Sequence, residues 1–286
     1  GATGKRVDGV DRISFHGRGL HTGEPCAVTL VRTPGPVCFA SNGEQVSREQ
    51  LEVVRAQYGV RVRGPKGRPD IDLVEHLFAA FAGLAIQHGV TVHVQGPEIP
   101  LLDGSAYELA MALRALGAPR SAPRLRVVQA GEVLAGESRY SFEPGNAVEI
   151  TVEVHYDVPR LGRQRASWDG GSERFLAELA RARTFGFRRQ YAELRALGRA
   201  KRVDPRSVMV LEADGSVAPP GAPPGEAELA RHKLLDLLGD LYFFGGPPLG
   251  KLVARRPGHR ANHQAARQAL EYGLLVRTGA LRNGTE

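Results

Sequence analysis

His232, Asp236 and Asp240 recur at intervals of four residues. On a helix that spacing stacks an imidazole and two carboxylates along one stripe. Leu234, Leu235, Leu237, Leu238 and Leu241 make a broad apolar face beside it, which predicts a largely buried helix over about 226–244. An unpartnered carboxylate is costly in such a helix, and a bound cation offsets that cost. The alternative is an amphipathic helix that simply turns its Asp and His to water. A second stretch, residues 73–83, strengthens the metal reading, because His76 opens it and Gly83 follows seven residues later, as Gly239 follows His232. His76, His232 and Asp236 supply three donors and leave one position open, the arrangement of a hydrolytic zinc centre. Ferrous iron suits the same donors.

The surrounding elements must bring those stretches together. Residues 10–32 alternate as two strands around a glycine-rich turn, where Gly-x-Gly lacks the following helix that a dinucleotide site needs. His21 in that turn reads as structural. Residues 47–57 read as helical, 58–63 as extended and 64–69 as a basic surface loop. After the His76 helix, Val90, Val92 and Val94 predict a strand over 89–95 whose other face carries a solvent-facing His93. Ser105 and Glu108 have capping-box spacing before a helix ending near 116. Glu98 and Asp103, just ahead of it, have structural explanations.

The best boundary is the Pro-containing segment 117–124, which divides the chain into domains 1–120 and 121–286. Beyond it, 125–158 reads as strands, 160–171 as a polar connection, 172–183 and 190–197 as helices separated by a turn at 183–187, and 207–211 as a strand. A strand near 249–255, a helix over 262–272 and a closing strand finish the chain. Both halves thus read as strands, a helix with a leading histidine, a strand and a helix. The fold class is α+β, two similar domains with the active site between them.

At 286 residues the chain can bury a full core. Its net charge of +7 favours anionic partners. With aromatics at only 6% and the positive charge gathered in no one tract, nucleic acid is not among the expected ones. Cys26 and Cys38 stand in no metal or redox spacing, and no apolar run is long enough to span a bilayer. A cytoplasmic monomer without stable membrane insertion is the expectation.

The blocks GRGLHTG, VEHLFAAFAGL, GPEIPLLDGSA, ARTFGF, RHKLLDLLGDLY and PGHRAN occur in order over about 12–270. With them the chain resembles the zinc-dependent UDP-3-O-acyl-N-acetylglucosamine deacetylases of lipid A synthesis. The resemblance implies helices sandwiched between two small sheets, with zinc on His76, His232 and Asp236. It further implies Glu75 as general base, His259 as general acid, Asp240 as the group orienting that imidazole, and Thr184 as an oxyanion stabiliser. Lys233 and Arg256 would meet a nucleotide diphosphate, Tyr156 the uracil and Phe185 the sugar.

The sequence departs from the family pattern in places. Leu73 stands for a usual Thr, Val158-Pro159 for His-Pro, His263 for a second Asn and Arg256 for Lys. The segment 197–207 carries Arg199, Lys201, Arg202 and Arg206 where a glycine-rich loop beside an acyl passage is expected. Charge beside that passage motivates an alternative, a paralogue acting on another N-acetylated, nucleotide-linked sugar. A non-catalytic anion-binding protein is a further one.

Overall fold

The computed structural model describes residues 11–278, apart from 206 and 220. The chain is α+β, and two five-stranded sheets in it share one plan. The first runs Arg12–Arg18, Pro25–Pro36, His88–Gln95, Cys38–Ser41, Glu44–Ser47 across its width. The second runs Gly131–Ala135, Ser138–Glu143, Gly250–Arg255, Val148–His155, Arg163–Trp168. Each consists of two hairpins parted by a central strand that is antiparallel to the first hairpin and parallel to the second. Asn42-Gly43, both at positive φ, form one of the tight hairpin turns.

In both halves the central strand follows a histidine-bearing helix, Glu75–Gly83 in the first and Glu228–Phe244 in the second. A further helix comes after it, Tyr107–Ala115 or His259–Glu271. One apolar core runs from Val28, Leu30 and Val92 of the first sheet, through Leu77, Phe81, Leu234 and Leu238 of the helices, to Val152 and Leu252 of the second. The two histidine helices pack on one another. A Cβ on Gly239 would lie 2.2 Å from the Glu75 carbonyl oxygen, so only glycine permits that approach.

Each half also carries an insertion. A three-stranded sheet, Glu52–Ala56, Val60–Arg63 and Asp70–Ile71, precedes the first histidine helix. Before the second come a helical turn, Ser172–Arg174, a π-turn, Phe175–Leu179, and helix Arg188–Ala196 set between the parallel strands Phe185–Phe187 and Met209–Leu211.

Several local expectations are corrected. Residues 47–57 are not a helix: one 3₁₀ turn, Arg48–Gln50, leads into strand Glu52–Ala56, whose pairing with Val60–Arg63 prevails over local spacing. The polar connection contains edge strand Arg163–Trp168, which turns Ala166 and Trp168 inward and Arg163 and Arg165 outward. The helix expected over 172–183 is the short α-turn and π-turn, and the turn at 183–187 holds a strand. Ser105 and Glu108 form no capping box, because the Ser105 hydroxyl donates to Asp103 at 2.7 Å and accepts from the Tyr107 N–H at 3.1 Å. No described helix is long and apolar enough to cross a membrane.

Candidate metal centre

Helix packing brings His76, His232 and Asp236 together, all buried, with one potential ligand atom from each within 4.8 Å of the others. Asp236 Oδ1 lies 3.4 Å from His232 Nε2 and 3.9 Å from His76 Nε2. His232 Nδ1 lies 3.1 Å from the Ala182 carbonyl oxygen, which can only accept, so this nitrogen carries the proton and Nε2 is free to ligate. Burial, together with the neighbouring His232, pushes His76 down to about 3, so it stays neutral as a ligand must. The Asp236 carboxyl is held far below the usual range because His232, Lys233 and His259 outweigh its burial. Two neutral imidazoles and a carboxylate at this separation fit a divalent cation.

Glu75 opens its helix and is buried, and one of its oxygens accepts the Val60 N–H at 2.9 Å. Burial raises its carboxyl to about 7, although His259 and that hydrogen bond pull the other way. His259 is the first residue of helix His259–Glu271 rather than part of the preceding turn, and its Nδ1 donates to Asp240 Oδ2 at 2.9 Å. Burial alone would lower this imidazole, but the Asp240 and Asp236 carboxylates raise it to about 10. Asp240 also accepts from Asn262 at 2.7 Å and from His263 Nε2 at 3.0 Å. No role for Asn262 or His263 was legible in the sequence, where His263 stands out only as a departure from the family pattern. The signal available was their spacing of three and four from His259, which places all three on one helix face.

A cavity of about 690 Å³ joins these groups, lined among others by Glu75, His76, His232, Asp236, His259, Thr184, Lys233, Phe185, Tyr156 and Arg256. Asp240 lies behind its wall. Lys233 Nζ donates to Asp236 Oδ2 at 2.9 Å and sits 5.2 Å from the Phe185 ring centre. Tyr156 packs against Phe185 and Phe187. Thr184 is fixed by its own N–H, which donates to Gly104. Arg256, at the rim, is 3.6 Å from an exposed Glu137 carboxylate.

Among the described residues of the basic segment, none puts its charge into this cavity. Arg199 turns to the carbonyls of Gln57 and Tyr58, while Lys201 and Arg202 are exposed. Arg206 lies outside the described residues. Leu20, Leu73, Leu101, Tyr191, Leu194 and Val208 give the cavity an apolar side instead. His21, which also lines the cavity, has Nε2 3.0 Å from the Tyr58 carbonyl oxygen and its backbone N–H on Glu98.

A sequence profile of the family described as UDP-3-O-acyl N-acetylglycosamine deacetylase matches residues 10–271. The chain is 31% identical over 273 residues to the UDP-3-O-acyl-N-acetylglucosamine deacetylase of Myxococcus xanthus, covering 90% of this chain and 83% of that protein. It is 32% identical to the Anaeromyxobacter dehalogenans protein of the same name, covering 91% and 85%. The Brucella melitensis biotype 2 protein of that name is 31% identical, with 90% and 92% covered.

Proposed function

The chain belongs to the UDP-3-O-acyl N-acetylglycosamine deacetylase family, and from that premise we propose that it hydrolyses the N-acetyl group of UDP-3-O-acyl-N-acetylglucosamine in lipid A synthesis. The observation that carries the reading is the convergence of His76, His232 and Asp236 on a cavity that Glu75 and His259 also line. We assign residues 1–120 and 121–286 to two domains, so that the donor set is shared between them.

His76, His232 and Asp236 would hold zinc. Bound there, the ion supplies Lewis acidity toward the amide carbonyl and lowers the pKa of water to about 7. Glu75, raised to about 7 by burial, takes the proton of the attacking water. Thr184, on the cavity wall, is assigned to stabilising the oxygen on which charge develops. His259, protonated at neutral pH, delivers a proton to the departing amine nitrogen, and Asp240 fixes the ring so that Nε2 faces the reaction. Lys233 and Arg256 are assigned to the diphosphate, Tyr156 to the uracil and Phe185 to the sugar. The apolar lining that Leu194 and Val208 contribute favours an acylated substrate over the paralogue alternative, because Arg199 turns to backbone carbonyls and Lys201 and Arg202 are exposed.

The test is acetate release by zinc-loaded protein from UDP-3-O-acyl-N-acetylglucosamine and from UDP-N-acetylglucosamine, with Glu75→Ala as control. A strong preference for the acylated compound is expected. Equal turnover of the unacylated sugar, or undiminished turnover by Glu75→Ala, would sink the assignment.

A further inference from the structure

A second cleft, of about 430 Å³, lies between strand Glu52–Ala56 and one face of helix His259–Glu271. Arg260, His263, Arg267 and Gln268 line it from the helix, spaced so that they share that face. Neither Arg260 nor Arg267 has an ion pair or hydrogen bond among the described residues, and no Asp or Glu among them lines the cleft. Arg55 on the opposite wall is already committed to Asp72.

The independent signal is His263. Its side chain is buried at 3% exposure, and its Nε2 is taken by Asp240. The other ring nitrogen, Nδ1, is buried without a partner, and so is the side-chain amide oxygen Oε1 of Gln268. Buried polar atoms are normally hydrogen-bonded, so Nδ1 lacks a partner that the described residues do not supply. A carboxylate only accepts, so Nε2 carries the hydrogen that reaches Asp240, and in the neutral ring Nδ1 needs a donor. The two guanidiniums that line the same cleft suit an oxyanion. A phosphate that retains an O–H offers both.

We propose that this cleft binds phosphate or a phosphomonoester, its oxyanion oxygens on Arg260 and Arg267 and its hydroxyl on His263 Nδ1. The site goes beyond the deacetylation reading but adjoins it, because Ala56 and Arg260 line both cavities and His263 shares Asp240 with His259. Occupancy therefore reports to the same carboxylate that orients His259.

The experiment titrates zinc-loaded full-length protein with inorganic phosphate in a calorimeter, at ionic strength held constant with chloride, with and without saturating UDP. One saturable site is expected, unaffected by UDP and weakened roughly tenfold by Arg267→Ala, as the loss of a charge-assisted contact implies. Sulfate, which has no O–H at neutral pH, should bind several-fold more weakly. No saturable binding, displacement by UDP, or affinity indifferent to both Arg267→Ala and Arg260→Gln would overturn the site, and equal binding of sulfate would remove His263 from it. Vesicles of phosphatidic acid against phosphatidylcholine separate the two sources of the group. Binding to the former that Arg267→Ala abolishes assigns it to a lipid, and phosphate binding without it assigns a free phosphomonoester. Acetate release measured on the same preparations without phosphate keeps a failure of the deacetylase reading distinct from a failure of this one.

Discussion

The two halves of the molecule repeat one strand order and each presents a histidine helix, yet the two helices carry different chemistry. Glu75–Gly83 is buried at every position and, beyond Glu75 and His76, is made only of Leu, Phe, Ala and Gly. Aligned on their histidines, Ala80 stands where the other helix has Asp236, and Leu84 where it has Asp240. The first helix thus gives one candidate ligand and a carboxylate beside it, the second two candidate ligands and the hydrogen-bond partner of His259. Repetition supplies the backbone approach, and the donor set completes only across the seam.

The largest test of that asymmetry is Asp236→Ala. Zinc retained after dialysis should fall from stoichiometric to none, and acetate release should fall beyond the roughly 10²- to 10⁴-fold range of losing a positioned acid or base. Adding Ala80→Asp should restore neither, because Ala80 lies in the apolar core rather than on the cavity. Metal restored in the double variant would break the comparison.

Next in size is the contrast between the glutamates that open the two helices. Glu75→Gln should lower turnover about 10²- to 10⁴-fold with zinc content unchanged, as loss of a general base implies. Glu228, which lines neither cavity, should tolerate the same change within about twofold in turnover, since its pairing with Arg183 bears on stability and not on the cavity. Equal losses in the two variants would mean that Glu75 acts through structure alone.

How far the sequence carries depends on whether the decisive contact is local. The stripe of His232, Asp236 and Asp240 and the strand around Ile150, Val152 and Val154 are legible because one element's own periodicity encodes them. Residues 47–57 mislead because their helical spacing competes with a pairing to Val60–Arg63 that no local window contains. Arg163–Trp168 hides for a related reason: charged outward positions on an edge strand look like loop until Ala166 and Trp168 are seen to face the core. At the site, the third donor to Asp240, His263, stands where the family pattern expects Asn, and its role appears only once helix His259–Glu271 packs on Glu228–Phe244.

The crossing of the helices gives a smaller, structural test. Alanine at Gly239 would press its Cβ on the Glu75 backbone, at 2.2 Å from the carbonyl oxygen and 3.1 Å from the Ala79 nitrogen. At Gly83, the matching position, the clash is with the buried Phe175 ring at 2.3 Å, a side chain rather than the backbone of the other histidine helix. Overpacking typically costs about 1–3 kcal/mol. Gly239→Ala should fall at the upper end and reduce metal retention by separating His76 from His232, while Gly83→Ala should cost less and leave the metal in place. Urea unfolding with zinc analysis checks both, and the reverse order would mean that the helices do not meet where Gly239 places them.

The smallest effect concerns pH, and it follows from the same pair of glutamates. Burial alone would raise Glu228, but Arg183, at 2.8 Å, and the N–H groups of Gly225 and Arg183 hold it down to about 2 from an ordinary 4.5. A group whose folded pKa is depressed stabilises the fold above its unfolded pKa, and that contribution disappears as pH falls through the folded value. The loss should therefore run from about pH 4.5 down to about 2 and amount to roughly 1–2 kcal/mol, discounted for the solvent that reaches the pair. Glu228→Gln should flatten the stability profile in that window, measured by urea unfolding of zinc-free protein so that ligand protonation does not enter. Glu75 cannot supply the same slope, because its carboxyl is shifted upward and contributes in the opposite direction above pH 4.5. A profile flattened by Glu75→Gln and not by Glu228→Gln would reverse the division of labour between the two helix starts.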